Sequence, residues 1–122
     1  MTPKKLLVLD DDETIRFNMK LYLEDEGFEC EEAGDADSAL LLIPDGGFSL
    51  SIVDLRLPGI NGEDFIKRAF VQNPSMKYLI HTGNTQFILS NELIKIGLNR
   101  EDVFYKPVES FDSIVNRINQ LL

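Results

Sequence analysis

Five short β-type runs alternate with helical apolar spacings along this chain. Strands separated by helices join a sheet side by side in parallel, so the alternation dictates an α/β fold. The runs are residues 5–9, 28–33, 49–53, 77–82 and 103–105. Leu6 to Leu9 and Leu50 to Val53 are mostly apolar at successive positions, as strands covered by helices on both faces must be, which places them mid-sheet. Between the runs the period becomes helical. Ile15, Met19, Tyr22 and Leu23 form one stripe with Gly27 as its stop. Ala36, Ala39, Leu40 and Ile43 form a second, begun by Asp35 and ended by Pro44. Phe65, Ile66, Ala69 and Phe70 make a third between Asn61 and Asn73-Pro74, and Leu89, Leu93 and Ile96 a shorter fourth. Phe111, Ile114, Val115, Ile118 and Leu121 make a fifth, capped by Ser110. No repeat, low-complexity tract or linker breaks the series, so residues 1–122 read as one domain.

Composition narrows the partners. With 12 Lys plus Arg against 21 Asp plus Glu the chain carries −9, a surface that repels a polyanion, so no direct nucleic-acid partner is expected. Cys30 is alone, which leaves no internal disulfide and no cysteine-based zinc site and suits a reducing compartment. The longest apolar run, Ala39 to Ile43, is far short of a membrane span, and the residues after Met1 lack a signal peptide's apolar stretch. The expected location is the cytoplasm, without membrane contact.

In doubly wound α/β sheets ligands bind beyond the carboxyl ends of the strands, so the polar residues there carry the functional information. They are Asp10, Asp11 and Asp12 after the first run, Asp54 after the third, Thr82 ending the fourth and Lys106 after the fifth. In "LLVLDDDETI" four apolar residues lead straight into four acids, and nothing basic follows until Arg16. Two like charges about 4 Å apart near a protein surface repel by roughly 4 kcal/mol. The acids must therefore fan into water, take up a proton or gather a cation. Convergent carboxylates without His or Cys make a hard oxygen site suited to Mg2+ (or Mn2+) rather than zinc. Magnesium completes its shell with water and phosphate oxygens, and a lysine and a hydroxyl are common phosphate contacts. The set reads as phosphoryl chemistry in which a carboxylate is itself the nucleophile, and the lone Asp54 facing the acidic pair is the best candidate.

The ordered pieces "LLVLDDDETIR", "SIVDLRLPGINGEDF", "LIHTGN" and "FYKPV" resemble the response-regulator receiver domain, the phosphoacceptor module of two-component signalling, along essentially the whole chain. The resemblance implies a flavodoxin-like doubly wound five-stranded parallel sheet, order 2-1-3-4-5, with five helices in three α/β/α layers. It implies that Asp54 is phosphorylated, that Asp11 ligates Mg2+ directly, that Asp10 helps hold it through water, and that Arg56 lends its backbone carbonyl. Thr82 and Lys106 would each bond a phosphoryl oxygen, and Pro107 would shape the lysine's turn, one the family often makes with a cis bond. Pro58 and Gly62 match the loop after the acceptor, and Gly83 leaves room beside the phosphoryl group. Arg56 and Asn84, two residues beyond Asp54 and Thr82, would tune water access. Val103 departs from the pattern, standing where the family usually carries a Tyr or Phe that swings inward on activation, and residues 97–103 run slightly long. The implied donor is a histidine kinase or histidine phosphotransfer protein docking beside the first helix. The implied reader is a downstream effector protein or domain, or a phosphorylation-dependent homodimer. Only self-phosphorylation and self-dephosphorylation chemistry is expected of the chain itself.

Plainer readings cover the neighbours. Asp12 reads as the N-cap of the first helix, with Glu13 favouring the positive helix end. His81, beside Thr82 on the same strand, points away from the site and reads as a packing or surface residue, and Cys30 as a small strand residue. Asp10 to Thr14 also fits the DxDx[TV] motif of haloacid-dehalogenase-like phosphatases, with Asp10 as nucleophile and Asp12 as acid/base. That family needs a second acidic pair beyond its lysine, and only Glu109 and Asp112 follow Lys106. A pseudo-receiver that only binds partners draws its main support from Val103. A P-loop switch is disfavoured, since no GxxxxGK[ST] occurs.

Overall fold

Leu6 and Val8 point to one side of a strand and Leu7 and Leu9 to the other, and all four are buried, so this strand is covered on both faces. The computed structural model describes residues 2–122. Its elements are β1 (Lys5–Leu9), α1 (Glu13–Asp25), β2 (Glu29–Ala33), α2 (Ala36–Gly46), β3 (Leu50–Val53), α3 (Gly62–Gln72), β4 (Lys77–Thr82), α4 (Asn91–Ile96), β5 (Val103–Tyr105) and α5 (Asp112–Leu121). The sheet is fully parallel in the order β2-β1-β3-β4-β5, the expected topology, with Leu9 level with Ala33 on one side and Val53 on the other. Helices α1 and α5 cover Leu6, Val8, Leu50, Ile52 and Leu79 with Met19, Leu23, Ile114 and Ile118. Helices α2, α3 and α4 cover Leu7, Leu9, Val53 and Ile80 with Ala39, Ile43, Phe65, Ile66 and Leu93. Each large side chain fully withdrawn from water contributes about 1.5–3 kcal/mol, so the two layers together anchor the strand ends. No helix among the described residues is long and apolar enough to cross a membrane.

Helix starts follow the expected chemistry at three places. Asp12 accepts from the Thr14 and Ile15 amides, Asp35 from Ser38 and Asn61 from Asp64. Gly27, at φ 97°, reverses the chain after α1 as a C′ glycine should. Elsewhere packing overrode the local signals. Pro44 does not end α2: it is exposed, so its missing amide falls on the solvent side, and the helix continues to Gly46 before Gly47 turns it at φ 66°. Ser110 does not cap α5 in the ordinary way, because Phe111 takes the cap position with helical backbone and no side-chain bond, while Ser110 Oγ accepts only from Asp112. The ring of Phe111 explains this, since it packs edge-on against Tyr22 and His81. Leu89 packs on the core ahead of α4, whose cap is Ser90. The long segment before β5 folds into one 3₁₀ turn, Arg100–Asp102, closed by a capping box between Asn99 and Asp102. Phe28 and Ser49 fall just outside β2 and β3, the amide of Phe28 being tied to Leu23 at the end of α1.

Candidate functional site

Where β1 and β3 end, the sheet ladder carries on by one residue: the Asp10 amide donates to Ala33 and the Asp54 amide to Leu9, at 3.2 and 2.9 Å. Both acids are thereby held by backbone at the rim, and both are buried, with 3% and 6% of their surface exposed. Asp11 lies beside them and is exposed. One oxygen from each of Asp10, Asp11 and Asp54 lies within 4.8 Å of the others. Such crowding of negative charge needs a counter-charge, and Lys106 supplies one. Its Nζ is 2.9 Å from Asp10 Oδ2 and 3.4 Å from Asp54 Oδ2. The lysine is presented by its own amide, which donates to Thr82 at 2.7 Å, and by the cis bond to Pro107.

The electrostatics follow from this arrangement. Burial, then the charge of Asp10, push the Asp54 carboxyl up from 3.8 to about 6, against the pull of Lys106 and the Arg56 amide. Burial lowers the proton affinity of the Lys106 ammonium, but the hydrogen bond and charge of Asp10, joined by Asp54, outweigh it, and the net direction is up. At neutral pH the site thus holds a carboxylate at 54 beside a protonated lysine. Oxygen donors alone surround this centre, and Cys30 and His81 are buried elsewhere, so the donor set fits a hard divalent ion such as Mg2+.

The remaining expected residues are arranged around that core. Thr82 is buried, and its Oγ1 accepts from the Asn84 amide at 3.0 Å, which leaves the hydroxyl proton free to be donated. Apart from Gly83 and its two chain neighbours, no atom of the described residues lies within 4 Å of the Cβ a side chain at Gly83 would add, so space is open there. The Arg56 amide donates to Asp54 Oδ1 at 3.3 Å and its side chain is exposed. Val103 is half-buried and packs on the layer that holds α4. His81 points to the opposite layer, against Phe111, with both ring nitrogens unpartnered among the described residues. Asp12 is committed to the α1 amides.

Gly62, read from the sequence only as part of the loop pattern after the acceptor, and Arg16, read only as the first base after the acids, take on physical roles in three dimensions. Gly62 opens α3 so close to Asp54 that an added Cβ would lie 2.3 Å from the Asp54 carbonyl oxygen. Arg16 donates to the Asp10 carbonyl at 2.8 Å. The signal for Arg16 was its place as the first base after the acids, one helical turn beyond Asp12.

Comparison with known proteins gives a consistent set. The family model described as the response regulator receiver domain matches residues 6–119. The transcriptional regulatory protein FixJ of Bradyrhizobium diazoefficiens is 33% identical over 89% of this chain and 53% of its own length. The chain spans about half the length of the curated relatives it matches. A CheY-like receiver domain protein from Methanospirillum hungatei superposes with a TM-score of 0.82 at 30% identity, covering 98% of this chain and 94% of that one. Response regulator TrrA from Thermotoga maritima, solved in complex with Mg2+-BeF, superposes with a TM-score of 0.83 at 26% identity, covering 98% and 99%.

Proposed function

Because the chain belongs to the response regulator receiver domain family, a signalling family of two-component systems, we propose that Asp54 is its phosphoacceptor and that Asp10 and Asp11 hold the Mg2+ it works with. The observation that carries this is the buried carboxylate of Asp54 facing both acids, with the Lys106 ammonium 3.4 Å away. The donor is a phosphohistidine on a histidine kinase or phosphotransfer protein. An Asp54 oxygen attacks phosphorus, the P–N bond breaks, and its electron pair returns to the imidazole, which takes up a proton. Negative charge gathers on the transferring oxygens, and Lys106 Nζ and the Thr82 hydroxyl are the groups that meet it. Mg2+ would be held by Asp11, Asp54 and the Arg56 carbonyl, with Asp10 helping through water, and would supply further positive charge at this point.

Once Asp54 carries a phosphoryl dianion, Thr82 and Lys106 are drawn toward it, and the loops after β4 and β5 settle in a second arrangement that an effector protein, an attached domain or a second copy reads. Water attack on phosphorus, releasing inorganic phosphate, restores the carboxylate, and Arg56 and Asn84 stand where they can limit that water. The phosphatase reading is weaker because Asp12, its acid/base, already accepts two helix amides, and because Asp112 meets the Tyr22 hydroxyl.

Acetyl phosphate with Mg2+, followed by mass spectrometry, tests the assignment. One phosphoryl group should appear on the parent chain, persist in Asp10→Asn at reduced yield and vanish in Asp54→Asn. A label that survives Asp54→Asn and is lost in Asp10→Asn transfers the nucleophile to β1.

A further inference from the structure

Asp10 is fixed at four atoms, and three of those ties are explained by the sheet, the loop and the lysine. Its amide donates to Ala33 at 3.2 Å, Oδ1 accepts from Asp12 at 2.9 Å and Oδ2 accepts from Lys106 at 2.9 Å. The fourth is the Arg16 guanidinium. Its Nη1 donates to the Asp10 carbonyl at 2.8 Å while its Nε donates to Glu32 on β2, also at 2.8 Å. The side chain is only 16% exposed, and the space it fills is kept clear by Gly34, where an added Cβ would lie 3.1 Å from Nη1. A planar, rigid fork held on two sides has little freedom left.

The carbonyl of Asp10 and the amide of Asp11 belong to one planar peptide. Pinning that oxygen therefore fixes ψ of Asp10 and the place of the Asp11 Cα, and the Asp12 amide, donating to Asp10 Oδ1 at 2.9 Å, holds the peptide on its other side, so that the two ties together set the direction in which the Asp11 side chain leaves the backbone. Asp11 depends on this, since it is exposed and its carboxylate accepts no hydrogen bond among the described residues. We propose that Arg16 is a positioning residue of the acidic site: through the Asp10 carbonyl it holds the peptide between Asp10 and Asp11 in the orientation that turns both carboxylates toward Asp54, and so sets the affinity for a divalent cation. The inference rests on the metal reading of Asp10, Asp11 and Asp54 made above.

Charge alone predicts the opposite sign. A guanidinium near a cation site repels the cation, so removing it would tighten binding if its field were what mattered. Glu32 at 2.8 Å offsets that field, and the loss of orientation dominates. Groups that orient metal ligands typically carry about 10- to 100-fold in affinity.

The test is calorimetric titration of Mg2+ into the 122-residue chain, with backbone amide shifts of residues 10–12 and metal-free melting recorded alongside. Arg16→Ala should bind Mg2+ about 10-fold more weakly than the parent, and Arg16→Lys, which lacks the fork, should fall between them. Gly34→Ala should weaken binding several-fold in the parent and add nothing to Arg16→Ala, because the new methyl acts only by displacing the guanidinium. A merely structural Arg16 would lower the melting temperature and leave the Mg2+ affinity unchanged. Affinity in Arg16→Ala equal to or tighter than the parent's overturns the proposal. If that variant is too unstable to titrate, unchanged affinity in Gly34→Ala overturns it instead. A parent chain that binds no Mg2+ sinks the metal reading itself, and this inference with it.

Discussion

The two halves of the rim are built differently. On the half formed by β1 and β3, Asp10 is tied at four atoms, Asp54 is locked to Leu9, and α3 starts hard against the Asp54 carbonyl. On the half formed by β4 and β5, the loop after Thr82 is held by small turns in which Asn84 and Thr82 bond their own neighbours, and Ile88 is 85% exposed. There α4 has only six residues and β5 only three. The contrast assigns different tasks. Under the proposed function, the acids that share one cation are held by the sheet and by side-chain ties, whereas the residues that answer a phosphoryl group sit on segments with little holding them.

Overfilling the rigid half should produce the largest effect. Gly62→Ala drives a methyl into backbone atoms of Asp54 and Leu55, which cannot swing aside as a side-chain tip could. We expect a loss of about 3 kcal/mol in chemical denaturation together with poor phosphorylation. Normal stability in this variant would mean that the β3–α3 junction yields more readily than its contacts imply.

Asp54→Asn comes next and has the other sign. The folded carboxyl titrates near 6, chiefly because it is buried, against 3.8 ordinarily. Both folded and unfolded chains are therefore protonated at low pH, and ionisation disfavours the fold as pH rises through about 6. Removing the charge should stabilise the metal-free protein by on the order of 2 kcal/mol at pH 7, with the gain fading toward pH 4. A gain that is flat with pH would place its origin outside this carboxylate.

His81 on β4 supplies the reverse slope. Burial, helped by Lys106, pushes its imidazole down to about 4, so between 6.5 and 4 the unfolded chain binds a proton that the folded one refuses. The stability it gives is complete above 6.5 and is lost as pH falls toward 4. His81→Leu also removes two nitrogens unpartnered among the described residues, and should gain about 1–2 kcal/mol at pH 5 and less at pH 7. Thermal melts at both pH values separate the two variants, since one gain shrinks on acidification while the other grows.

The same division shows in what the sequence disclosed. The central strands and rim acids were legible because strands buried on both faces leave unbroken apolar runs, and the candidate site residues follow those runs directly. The direction of His81, away from the site, followed from strand alternation. Pro44, Ser110 and the 3₁₀ turn are not legible in local sequence because each depends on its surroundings in the fold: the solvent-facing side of α2, the ring of Phe111 against Tyr22 and His81, and Arg117 of α5 bonding Asp102 at 2.8 Å. Arg16 escaped for the same reason, since Glu32 and Gly34 lie on another strand and its exit.

The smallest expected effect probes the lightly held half most directly. Tyr105 lies two residues beyond Val103 on the same strand face, and its hydroxyl donates to the Phe87 carbonyl at 3.0 Å, tying β5 to the loop after Thr82. The ring is 41% exposed, so the bond competes with water, and Tyr105→Phe should cost about 0.5 kcal/mol or less in global stability. Its consequence is local. Amides at 84–88 should exchange with solvent several-fold faster, while those of Asp10 and Asp54, held by the sheet, stay unchanged. Equal acceleration on both sides would show that the rim opens as one unit, and the division between a fixed acidic half and a responsive half would not survive it.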